Sequence, residues 1–107
     1  MARSPSGADT FHTIADAHRR EMMNLLRDGE RPVSWLVART GISYSAVSQH
    51  LSILLRAGLV SRRASGTRRL YRLNAAPLQE VYDWCAQYRL FWTAGLKRLR
   101  EYLDKHP

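Results

Sequence analysis

Apolar residues recur along this chain at helical spacing, switch to alternation near residue 59, and return to helical spacing near residue 77. Phe11, Ile14 and Ala15 fall on one face of a short first helix that Asp9 or Thr10 can cap. Asp16 reads as a second N-cap. It opens AHRREMMNLLRDG, with Met22, Leu25 and Leu26 as the inner stripe and Gly29 as the end. Pro32 opens VSWLVART, whose Val33, Leu36 and Val37 point inward. The strongest pattern covers residues 41–60, GISYSAVSQHLSILLRAGLV. Gly41 allows a backbone turn, Ser43 is placed to cap, and Val47, Leu51, Leu54 and Leu55 make one buried stripe that Gly58 ends. A short helix, a glycine-containing turn and a second helix make a helix–turn–helix.

The alternating stretch predicts a β-hairpin over residues 59–73. Its strands are LVSRR and RRLYRL, joined by ASGT with Gly66 in the turn, and Tyr71 and Leu73 share a face. From Pro77 the pattern predicts one helix of about 29 residues, about 43 Å long. Val81, Cys85, Tyr88, Trp92, Leu99 and Tyr102 form a stripe, widened by Leu78, Trp84, Phe91, Leu96 and Leu103. That is more apolar surface than a chain of this size buries by itself, so a homodimer built on this helix is expected. Gly95 lies mid-helix, where glycine costs about 1 kcal/mol relative to alanine. A close helix–helix crossing or a local bend would account for it. The expected fold is mostly α with a small β-hairpin, a winged helix–turn–helix with a long C-terminal dimerisation helix. Residues 1–8, small and polar with Pro5 and Gly7, read as a flexible arm. Residues 9–107 read as one domain, with a recognition helix at about 43–57, a wing at about 59–73 and a dimerisation helix at about 77–105.

The polar positions supply the chemistry. The outer face of the 43–57 helix carries Tyr44, Ser45, Ser48, Gln49, Ser52 and Arg56, with no acid. A merely solvated helix usually shows Glu and Lys, whereas hydroxyl and amide groups suit base edges and phosphates in a major groove. Net charge is +8, and the excess is concentrated: residues 59–74 hold five arginines and no acid. Arg62, Arg63, Arg68 and Arg69 crowd the hairpin tip, where like charges repel unless an anion binds. Arg19 and Arg20 stand early in their helix, where the macrodipole disfavours cations. An external anion partner and an ordinary solvated basic turn both fit them.

Taken together, IADAHRREMMNLL, VSWLVARTGIS, YSAVSQHLSILLRAGLVSRR, GTRRLYRLN and the final helix resemble the ArsR-type winged-helix repressors. The resemblance covers nearly the whole chain beyond residue 10, and the SxxVSQHLxxLxxAGLV spacing is its most specific part. It implies a dimer seated on operator DNA. Ser43, Tyr44, Ser45, Ser48, Gln49, His50 and Ser52 would lie on the major-groove helix. Arg62, Arg63, Arg68 and Arg69 would reach the flanking backbone or minor groove. The first and last helices would form the dimer interface through Phe11, Ile14, Val81, Trp84, Cys85, Tyr88, Trp92, Gly95 and Leu99. His50 also borders the buried stripe, and a packed, hydrogen-bonded role is the alternative for it. Many relatives sense metals through a Cys pair before the turn or through Asp and His on the last helix. Here VSWLVA has no Cys, and Glu80, Asp83, Cys85 and His106 lack a metal spacing, while His12, His18 and His50 are scattered. The chain therefore resembles the metal-free branch, whose members often repress their own operon, and no cofactor is expected. Trp35 stands where relatives often carry an acid, which fits packing on a neighbouring helix or a partner contact.

The expected function is that of a dimeric, sequence-specific DNA-binding transcriptional regulator, a repressor acting on double-stranded DNA with an inverted-repeat operator. One alternative is a winged-helix module whose basic face meets an acidic protein. Another is a thiol redox sensor using Cys85, although a lone Cys on an apolar stripe is more often packing. No nucleophile–base pair or phosphate loop is visible, so an enzyme is not expected. The single cysteine excludes an intrachain disulfide, and no apolar run reaches membrane-spanning length. MARSPSGAD lacks the apolar core of a signal peptide, so a cytoplasmic location is expected.

Overall fold

Side-chain caps mark where three of the helices begin. The computed structural model describes residues 9–106; the arm expected over residues 1–8, like Pro107, lies outside them. Helix α1 (Thr10–Ile14) starts at Asp9, whose carboxylate accepts from the Phe11 amide at 2.9 Å. Helix α2 (Ala17–Leu25) starts at Asp16, which accepts from the Arg19 amide at 3.1 Å. Helix α3 (Val33–Thr40) follows Pro32, and α4 (Tyr44–Arg56) starts at Ser43, whose Oγ accepts from the Ala46 amide at 3.1 Å. Gly41 (φ 74°) and Gly58 (φ 76°) close α3 and α4 in the left-handed region that a Cβ disfavours.

The helical stripes meet in one core. Met22, Leu26, Leu36, Val47, Leu51, Leu54 and Leu59 are almost wholly buried there, joined by Met23, Val33, Val60 and Tyr71. Ile14, Leu25, Val37 and Leu55 pack around its edge. Each fully buried side chain of this size contributes about 1.5–3 kcal/mol, so these positions hold α2, α3, α4 and the sheet together.

The expected hairpin forms from β2 (Val60–Ser65) and β3 (Arg68–Leu73), antiparallel, but its loop is shorter than ASGT: Ala64 and Ser65 pair with Arg69 and Arg68, leaving Gly66 and Thr67 as the turn. A third strand, β1 (Arg31–Pro32), joins the other side of β3, giving the order β1-β3-β2. Two residues are too few to show alternation, so β1 left no pattern in the sequence. Pro32 has no N–H to give and is tolerated there because β1 is an edge. Asn74 ties the hairpin back to the end of α4: its amide donates to Leu59 O and its side chain donates to Gly58 O, both at 2.8 Å.

The long C-terminal helix is present but interrupted. It comprises α5 (Leu78–Ala86) and α6 (Arg89–Lys105), separated at residues 87–88. The break is a tightened turn, in which the Gln87 amide donates to Trp84 O at 3.3 Å and the Tyr88 amide to Cys85 O at 2.9 Å. Neither residue is a helix breaker and the apolar stripe stays in phase across them, so nothing in the residue pattern marks the break. Gly95 lies within α6, away from the break, with open space where a Cβ would sit. Neither α5 nor α6 contains a buried residue among those described.

Candidate nucleic-acid interface

Along α4, residues three and four apart stack on one face. Tyr44, Ser48 and Ser52 therefore form a row, and that row faces the wing. Together with Arg62, Thr67, Arg68, Arg69 and Tyr71 it lines an open groove whose near end is formed by Pro32, Val33 and Ser34. Ser45 and Gln49 lie on the adjoining flank of the helix, outside the groove. Ser43 is occupied by capping, and its Oγ also lies 3.3 Å from Ser45 Oγ.

His50 points elsewhere. Its Nδ1 lies 3.4 Å from Arg19 Nη1, and its ring centroid is 5.7 Å from that of His18. A guanidinium can only donate, so this contact requires Nδ1 to accept and the ring proton to sit on Nε2. This contact fits the packed, hydrogen-bonded alternative for His50, which joins α4 to α2.

The register of the wing sorts its arginines by face, because directly opposed residues share a face. Arg62 opposes Tyr71 and Ala64 opposes Arg69, on the side of α4. Arg63 opposes Leu70, Ser61 opposes Arg72 and Ser65 opposes Arg68, on the other side, although Arg68, beside the turn, still lines the groove. Arg63 thereby leaves the cluster expected at the tip. Its Nε donates to both carboxylate oxygens of Glu30 at 3.0 Å, and its Nη2 also donates to Oε1. Part of the expected repulsion is relieved by an acid 33 residues earlier in the chain. The hydrogen bond from Arg63 holds the Glu30 carboxyl below its ordinary pKa, with the charges of Arg63 and Arg72 adding, and pushes that of Arg63 up.

Arg19 and Arg20 also find their partners inside the protein. Arg19 Nε donates to Thr13 O at 2.7 Å, and Arg20 Nη1 donates to Ile14 O at 2.8 Å and Ala15 O at 3.1 Å. These carbonyls end α1, where cations are favoured. The place that looked wrong for α2 is right for α1, and the external-anion reading is not needed. Asp16 is held below its ordinary pKa chiefly by the Arg19 amide that it caps. Trp35 packs at the edge of the core with the guanidiniums of Arg31 and Arg39 at 4.5 and 3.8 Å from its ring. This cation–π arrangement was not anticipated from the sequence. Arginines four before and four after a tryptophan were the available signal.

Around the α5–α6 junction, Trp84, Cys85, Tyr88, Phe91 and Trp92 line an apolar hollow. Phe11 meets Trp84 edge-on at 5.7 Å, and Trp84 meets Tyr88 at 5.3 Å, so α1 is joined to this surface. Val81 is half-buried, Trp92 and Leu99 are exposed, and Ile14 is partly buried against the core. Leu90, Phe91, Leu96, Tyr102 and Leu103 extend the exposed apolar face along α6. Among the described residues, no group of three or more His, Cys, Asp or Glu could hold a metal ion, and no helix is long and apolar enough to cross a membrane.

Known proteins share this geometry. The family model described as "Bacterial regulatory protein, arsR family" matches residues 16–62. The chain is 35% identical to the HTH-type transcriptional regulator Rv2034 of Mycobacterium tuberculosis, over 95% of this chain and 91% of that one. It is 30% identical to the transcriptional repressor SdpR of Bacillus subtilis, over 75% of this chain and 89% of that one. Among solved structures, it resembles the homodimeric winged helix-turn-helix DNA-binding domain Mb0332 of Mycobacterium bovis. The TM-score there is 0.61 at 29% identity, covering 75% of this chain and 77% of that one. Matched by this family model over residues 16–62 and 35% identical over nearly its whole length to an HTH-type transcriptional regulator, this chain belongs to the arsR family of bacterial regulatory proteins.

Proposed function

We propose that this regulator acts as a two-fold dimer that represses transcription from an inverted-repeat operator, its own operon included, in the cytoplasm. The observation that carries the reading is the groove shared by α4 and the wing. Hydroxyl groups line one wall and Arg62, Arg68 and Arg69 the other, in an open channel that suits an extended polyanion. In this reading α4 enters the major groove. Ser45 and Gln49 meet base edges there, while Tyr44, Ser48 and Ser52 share the phosphate track with the wing. Residues 9–107 act as one unit for binding and dimerisation.

The second copy covers the exposed aromatic face of α5 and α6, with Trp84, Tyr88 and Trp92 as its centre and Phe11 at its margin. A two-fold axis then presents two recognition helices to half-sites about one helical turn apart, or a multiple of it. Cys85 serves packing within this interface, and the switch requires no bound metal. The test is a gel shift at moderate salt with the DNA upstream of the protein's own coding sequence, against a scrambled duplex. A selective complex with two protomers per site supports the reading. Equal binding to both duplexes sinks it and favours an acidic protein as the partner of the basic face.

A further inference from the structure

Glu30 stands just before β1, at the edge of the sheet farthest from β2. Arg31 opposes Tyr71 and Pro32 opposes Leu70, so continuing that register sets Glu30 beside Arg72. On the same face, Leu70 also opposes Arg63 of β2. The Glu30–Arg63 bridge therefore passes over the middle strand and joins the two edges, a backbone separation of about 10 Å at the usual strand spacing. It takes two long side chains to close it, and both carboxylate oxygens are used. Glu30, Ser61, Arg63, Leu70 and Arg72, with Arg62 at the margin, surround one hollow on the face of the wing turned away from α4.

The location gives this pair a purpose beyond stability. The Arg63 side chain is 60% exposed and that of Glu30 28%, and ion pairs this open to water add little to global stability. What the pair does fix is orientation. The edge strand β1 offers only two residues of pairing, and one of them is a proline. A side-chain bridge across the whole sheet holds the wing against the start of α3, and with it the direction in which Arg62, Arg68 and Arg69 face. It also occupies Arg63 and sets a negative charge beside Arg72, so that face is less attractive to a polyanion.

We infer that Glu30 is a positioning and specificity-determining residue: it latches the wing and withholds Arg63 from DNA, leaving Arg62, Arg68 and Arg69, which line the groove beside α4, to track the backbone. This rests on the DNA-binding reading above. A wing without the latch has one more free arginine and a looser angle, which favours indiscriminate contact with phosphate over docking in register.

Salt titrations of binding to operator and scrambled duplexes test the latch, with Arg68→Ala as the reference for a wing residue on the backbone. Arg68→Ala should flatten the plot of log affinity against log salt by about 0.9 for each phosphate no longer neutralised. Arg63→Gln should leave the slope as in wild type. Glu30→Gln should steepen it by about 0.9 and lower the ratio of operator to scrambled affinity several-fold. Adding Arg63→Gln to Glu30→Gln should return the slope to the wild-type value. Asp28→Asn, the same change of charge two residues away, should do none of this. The latch is refuted if Arg63→Gln flattens the slope as Arg68→Ala does, if Glu30→Gln changes neither slope nor ratio, or if Asp28→Asn reproduces its effect. Should Arg68→Ala also leave the slope untouched, the wing does not meet DNA, and the DNA-docking reading and the latch fall together.

Discussion

At the scale of single residues, the same arginine side chain does several different jobs here, the Arg63–Glu30 pair apart. Arg19 and Arg20 close the end of α1, Arg31 and Arg39 flank an indole, and Arg62 and Arg69 line the groove beside α4. Only the last kind belongs to the proposed docking surface. Gln49 is the residue we expect to read sequence, from its place on the outer flank of α4. Gln49→Ala should cost about 1–3 kcal/mol on operator DNA and relax base preference at one position of each half-site. Competition against single-base operator variants measures this, and an unchanged preference would rule out the docking. Protonation supplies a second prediction. The folded-state pKa values of Asp16 and Glu30 are depressed, by the Arg19 amide and by Arg63 respectively. The stabilisation from each is therefore fully present above the unfolded carboxylate pKa, near about 4, and disappears as pH falls through the lower folded value. Thermal melts should show no pH dependence from either group in the neutral range and a decline beginning below about pH 4. Asp16→Asn, which keeps a good N-cap but no charge, should shrink that acid decline while leaving the neutral melting point close to wild type.

At the scale of elements, α4 and the wing share a groove but should fail in different ways. Double replacement of Arg68 and Arg69 with alanine removes the phosphate contacts we propose for them, which carry little sequence information. It should weaken operator and scrambled binding by similar factors and flatten the salt dependence by about 0.9 per phosphate released. Gln49→Ala should do the reverse, with the slope almost unchanged and the selectivity reduced. A wing variant that kept its slope and lost only selectivity would mean that the two elements have been assigned each other's roles, or that an arginine reads a narrow minor groove. The elements also differ in how legible they were. The N-caps Asp9, Asp16 and Ser43 lie within three residues of the amides they serve, so the starts of α1, α2 and α4 could be read directly. The break between α5 and α6 could not, because residues 87–88 are compatible with a helix and the turn there is a matter of backbone geometry alone.

At the scale of the whole molecule, the exposed face of α5 and α6 sets the oligomeric state we propose. Trp92 is exposed in a row with Trp84 and Tyr88, and large aromatics at the centre of an interface carry much of its energy. Trp92→Ala should raise the dimer dissociation constant, by a factor of about thirty if the residue is an anchor worth about 2 kcal/mol. Operator affinity should fall with it. Sedimentation equilibrium across a dilution series reads the change, and an unaltered midpoint would mean that Trp92 is not an anchor. A metal-independent switch makes a further prediction: exhaustive treatment with chelator should leave operator affinity unchanged. Tight stoichiometric zinc whose removal shifts that affinity would overturn it.

The sequence alone determined what depends on neighbours along the chain. Helical and alternating periodicities named the helix–turn–helix, the hairpin and the apolar C-terminal segment, and capping residues marked the helix starts. The acid-free face of α4 and the local excess of arginine already pointed to a polyanionic partner. The tertiary structure decided what depends on residues far apart in sequence. Glu30 meets Arg63 across 33 positions, and Arg19 meets His50 across 31. Neither pairing follows from composition or period, since both arise where separately folded elements are packed side by side. The two-residue strand β1 belongs with them, because its identity comes entirely from its partner β3. Local steric preferences and solvation act over a few residues and leave a trace in the sequence; the pairing of charges and edges between elements exists only once the core has brought them together.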